Sequence, residues 1–165
     1  MTASKIFIAL TLCASAATSL PAQKFTSIAS FNGNNGSWPY LMALVQGTDG
    51  MFYGTTRVGG TYGSGTLFKV STSGTITTLH NFCAKTNCPD GRAPTGALVL
   101  ATEGDFYGTT EYGGANDLGT VFKITSAGKF TKLLDFDTTN GAEPITGLVQ
   151  GNKWELLRHH VLGRD

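Results

Sequence analysis

The stretch "MFYGTTRVGG" runs from Met51 to Gly60, and "DFYGTTEYGG" runs from Asp105 to Gly114. The motif FYGTT-x-x-GG is thus written twice, as Phe52, Tyr53, Gly54, Thr55, Thr56, Gly59 and Gly60, then as Phe106, Tyr107, Gly108, Thr109, Thr110, Gly113 and Gly114. Extending outward, Leu44–Phe82 aligns with Leu98–Phe136 without a gap, at an offset of 54 residues. A period of fifty-odd residues suits propeller-type repeats, and no sustained 3.6-residue apolar period argues for helical ones.

Each copy divides into four short strands at turn signals. The first copy gives 41–46, 51–56, 66–70 and 75–82; the second gives 97–101, 105–110, 120–124 and 129–136. Asp49-Gly50 and Glu103-Gly104 mark the first hairpin of each, Ser73-Gly74 and Ala127-Gly128 the last. Gly tolerates the positive φ that such turns require. The predicted fold is all-β, with antiparallel four-stranded blades of a β-propeller-like repeat protein, incomplete at about two blades plus edge strands. Blade one covers 41–82 and blade two 96–136, within a repeat region of 24–151.

Both flanks carry pieces of further copies. "KFTSIASF", Lys24 to Phe31, matches "KFTKLLDF", Lys129 to Phe136, and is expected to be a lone fourth strand. "GAEPITGLVQG", Gly141 to Gly151, matches "GRAPTGALVLA" and opens a third blade. The chain then reads "NKWELLRHHVLGRD", where FYGTT is due. Read one base later, Trp154 forces Gly, and Glu155 to His160 permit Asn-Phe-Tyr-Gly-Thr-Thr. Residues 152–165 are therefore expected to be a frame-shifted tail. The open ends are expected to expose Phe25, Ile28 and Phe31 on one side and Leu148 and Val149 on the other.

The N-terminus has the make-up of an export signal. Lys5 precedes the apolar run Ile6–Ala17, with Ala17 and Ala22 as cleavage positions, so residues 1–22 are assigned as a signal peptide. The run is short for a span, which needs about 20 apolar residues, so no membrane span is expected after cleavage. The expected location is secreted or cell envelope. Of three cysteines, cleavage removes Cys13; export makes a Cys83–Cys88 disulfide the leading reading of "CAKTNC".

The net charge of +1 carries no basic stripe, so a nucleic-acid partner is excluded. No metal, cofactor or catalytic set is expected. His80 stands at a fourth-strand position whose counterpart is Leu134, with no nucleophile motif beside it. Asp49 and Glu103 are read as turn residues. Asp90, Asn116, Asp117 and Asp137 lack calcium-loop spacing. Because both copies keep FYGTT unchanged, the motif is read as packing between blades. Positions that differ, Arg57-Val58 against Glu111-Tyr112, are the better places for specificity.

FYGTT, the following GG, "GTLFKV" or "GTVFKI", and the run Asp90-Gly91 with Pro94 and Leu98 together resemble the bacterial GloVer tandem-repeat proteins. The resemblance covers Lys24 to Gly151. It implies an exported, many-bladed, propeller-like protein and carries no established activity. Kelch repeats are similar in period and double Gly, but lack FYGTT. The expected function is a non-enzymatic exported module for binding or cell-surface architecture, with a glycan or protein as the class of partner. The alternative is a fragment of a secreted propeller hydrolase or lyase on polysaccharide, with its catalytic blades missing.

Overall fold

A computed structural model describes residues 24–150 and the backbone of Leu156–Leu157. The signal segment and most of the 152–165 tail lie outside the described residues. The described chain is all-β and contains no helix.

Repeat one forms a four-stranded antiparallel sheet from β1 (Val45–Gln46), β2 (Phe52–Thr56), β3 (Thr66–Val70) and β4 (Ile76–Asn81), paired in chain order. Repeat two does the same with β5 (Arg92–Leu100), β6 (Phe106–Tyr112), β7 (Thr120–Ile124) and β8 (Phe130–Asp135). The registers are copies: Gly54 faces Phe68 as Gly108 faces Phe122. The third and fourth strands bulge at equivalent steps, Leu67/Phe68 and Val121/Phe122. A bulge re-aims the strand while keeping the hairpin, so its repetition follows from repeated sequence.

The first strands differ between repeats. β1 is only two residues long, whereas β5 spans nine with a register shift between Thr95 and Val99. Gly96, at φ +76°, lets β5 bend and resume pairing. Met42 stands at that place in repeat one, and positive φ at Leu41 breaks the run before it.

The two sheets pack face to face over one core. Tyr53, Leu67 and Phe82 of repeat one are buried against Leu98, Phe106, Phe122 and Ile124 of repeat two. The pattern recurs one step on: Val121 and Phe136 of repeat two bury Leu148 of the third copy. Leu148 is 7% exposed, so the expectation of an open apolar end is corrected there, while Val149 beside it is 52% exposed. The third copy forms a hairpin of β9 (Val149–Gln150) and β10 (Leu156–Leu157). Gln150 pairs with Leu156 as Gln46 pairs with Phe52, so the hairpin register persists where FYGTT is absent.

The expected strand at Lys24–Phe31 is not formed. A strand needs a neighbouring edge to pair with, and this segment finds a sheet face instead, with Phe31 edge-on to Phe68 at 4.9 Å. Phe25 and Ile28 remain exposed as expected, but Phe31 is half-buried by that contact.

Candidate functional site

The FYGTT side chains are used internally. Tyr53 stacks on Phe106 at 4.0 Å across the repeats. The Tyr53 hydroxyl donates to Asp49 at 2.7 Å, and the Tyr107 hydroxyl donates to Glu103 at 2.7 Å. Asp49 and Glu103 are thus turn residues that also anchor the motif tyrosine of their own repeat. Burial, then the Asp49 carboxylate, pushes the Tyr53 phenol up. Its hydrogen bond to Glu103 comes first in pushing Tyr107 up to about 12.

The last threonine of each motif closes a buried clasp. Thr56 and Thr66 share a hydroxyl contact of 2.9 Å, as do Thr110 and Thr120. Each motif threonine also accepts the backbone N–H of its partner, at 3.1 and 3.0 Å. The double glycine turns the chain back beside this clasp. At Gly113, φ is +80° and a Cβ would lie 2.7 Å from the Gly91 backbone, so only glycine fits without displacement.

Beyond the second strands, the loops form a layer at one end of both sheets. Ser37 bridges to Val58, Ala93 N–H reaches the Ser64 carbonyl, and Gly114 N–H reaches the Cys88 carbonyl. This layer carries the exposed aromatics Trp38, Tyr40 and Tyr62. Arg92 lies 4.7 Å over the Tyr112 ring and holds Asp117 at 3.0 Å. That bond comes first in holding the Asp117 carboxyl below the usual carboxylate range.

Arg57 and Glu111, two of the positions that differ between the copies, are joined to each other at 2.6 Å. His80 has a partner that the spacing did not suggest. Its Nε2 is 2.9 Å from Asp90, and its ring stacks on Phe130 at 4.0 Å. Asp90 also accepts the Cys83 N–H at 3.1 Å. Cys83 and Cys88 form the expected disulfide, which closes the short loop just before Asp90. No cluster of three or more metal-ligating side chains occurs among the described residues, and no described helix is long and apolar enough to cross a membrane.

The family model of the Gloeobacter/Verrucomicrobia repeat matches residues 17–155. The chain belongs to this repeat family. The Gloeobacter/Verrucomicrobia assignment agrees with the FYGTT-based resemblance, and the structure shows what the repeat's signature residues do: pack, clasp and turn. No curated protein matches the chain.

Proposed function

We propose that this chain is an exported, non-enzymatic module of propeller-like blades that binds a glycan or protein at the cell surface through its loop layer. One observation carries the reading. The repeat signature is consumed by packing and hydrogen bonding, while Trp38, Tyr40 and Tyr62 stand 66%, 56% and 51% exposed in the same loop layer. Exposed aromatic rings beside fixed charges offer flat apolar area and polar tips together, which suits sugar faces or a protein surface. The apolar N-terminal run and the Cys83–Cys88 bridge support export.

The test is binding of the purified chain to arrayed polysaccharides and envelope fractions, beside Trp38→Ala and Tyr62→Ala. Loss of retention in both variants, with an unchanged circular dichroism spectrum, is the expected result. Retention unaffected by either substitution would remove the loop layer from the function. Hydrolysis of an arrayed polysaccharide would favour the enzyme reading instead.

A further inference from the structure

Repeat two is held by repeat one through contacts that can be checked position by position. Phe82 meets Phe122 at 5.4 Å. A Cβ on Gly128 would lie 3.6 Å from the Leu79 carbonyl, and one on Gly65 would lie 2.7 Å from the Pro94 ring.

The leading face of repeat one repeats part of this set. Phe31 meets Phe68, the counterpart of Phe122, and the Ile28 carbonyl lies over Gly74, the counterpart of Gly128. Residues 24–31 therefore stand where the fourth strand of a preceding repeat would stand, although they form no ladder. The places of that repeat's first two strands are not filled by described residues. What is found there is an apolar groove of about 330 Å³, lined by Phe31, Met42, Leu44, Phe68, Val70 and Ile76. The contrast in burial is large. Leu44 is 50% exposed, whereas its counterpart Leu98 is 4% exposed under repeat one.

The other end of the chain carries a matching piece. The β9–β10 hairpin has the register of β1–β2, the hairpin that lies against repeat two. Val45 packs on the shared core, whereas its counterpart Val149 is 52% exposed.

We propose that the β9–β10 hairpin of one copy of this chain docks into the leading groove of a second copy, beside Phe31, giving a head-to-tail assembly. The occupant is argued from the molecule itself: the same hairpin in repeat one already covers the same face of repeat two. Such an interface is heterologous, so each copy keeps one groove and one hairpin free for further copies. The inference is independent of what the loop layer binds.

The experiment is sedimentation of the full chain over a concentration series, beside Leu44→Lys and Val149→Lys. Both positions are about half exposed, so circular dichroism of the variants should match the parent. The expected result is concentration-dependent association of the parent that either substitution weakens roughly tenfold or more, since a lysine would be buried without a partner. Mixing the two variants should give one-to-one dimers, because one supplies an intact hairpin and the other an intact groove. A monomer at every concentration overturns the proposal. Association weakened by Leu44→Lys alone overturns it in favour of groove-to-groove pairing. Association that neither variant weakens overturns it in favour of another contact.

Discussion

Arg57 and Glu111 occupy the same position of successive repeats, 54 residues apart, and they bind each other at 2.6 Å across the junction. Repetition would have placed like side chains side by side. The substitution of one charge for its opposite turns that place into a pair. The Glu111 carboxylate comes first in pushing the Arg57 guanidinium up.

Because the pair is only partly exposed, at 28% and 12% for the two side chains, it should be worth more than a free surface bridge. A double-mutant cycle of Arg57→Ala and Glu111→Ala should give a coupling of about 1 kcal/mol in urea unfolding. The charge swap Arg57→Glu with Glu111→Arg should recover part of the loss from either single reversal. A coupling indistinguishable from zero would show that the junction does not depend on this pair.

Thr110→Val should cost about 1–3 kcal/mol. The change nearly conserves volume but strips the hydroxyl that accepts the Thr120 N–H at 3.0 Å and donates to the Tyr112 carbonyl at 3.0 Å. Thr56→Val should behave alike in repeat one, where the same contacts recur. Thr110→Ser keeps the hydroxyl and should be milder. Equal unfolding midpoints for the valine and serine variants would refute the clasp as a source of stability.

Replacing Cys83 and Cys88 together by Ser should destabilise the chain by about 2 kcal/mol, the loop-entropy figure for a bridge this short. The same change should loosen His80, since Asp90 is held by the Cys83 N–H at the start of that loop. Peptide mapping without reductant should recover the two cysteines as one linked peptide. Two free thiols in exported protein would contradict the bridge.

Alkaline pH should unfold the chain through its motif tyrosines. A folded-state pKa raised above its ordinary value of 10.0 means that stability is complete below pH 10 and is lost as pH rises toward about 12 for Tyr107. The direction is the same for Tyr53. The part of the near-ultraviolet phenolate signal that Tyr107→Phe removes should appear late and together with the loss of β circular dichroism. Tyr107→Phe should move that transition; an unchanged alkaline profile would rule Tyr107 out as its origin.

At acid pH the sign reverses. Asp49 is lowered by its Tyr53 hydrogen bond, and Asp117 by its Arg92 bond, from an ordinary 3.8. Their contribution is present above that value and is lost as pH falls below it. Both carboxylates are largely exposed, so the acid limb should be shallow and should flatten with salt. A steep, salt-independent acid transition would assign it to other groups.

Turn chemistry and repetition were readable directly along the chain. Asp49-Gly50, Glu103-Gly104 and the Gly pairs bound the strands, because positive φ is a local demand that only a few residues meet. The eight strands of the two repeats therefore fall where the alignment of the two copies places them, with β1 shortened and β5 extended. The Cys83–Cys88 bridge was legible for the same reason, since it joins neighbours in sequence.

What followed from packing was hidden in a single strand of text. That Arg57 meets Glu111, that Asp90 meets His80, and that Lys24–Phe31 lies on a face rather than in a ladder all depend on which sheet face meets which. Such contacts join residues from different elements, and no local propensity encodes them. Repetition specified the unit. The stacking of one unit on the next decided which of its side chains became core, which paired across the junction, and which, like Leu44 and Val149, were left exposed where their counterparts Leu98 and Val45 are packed.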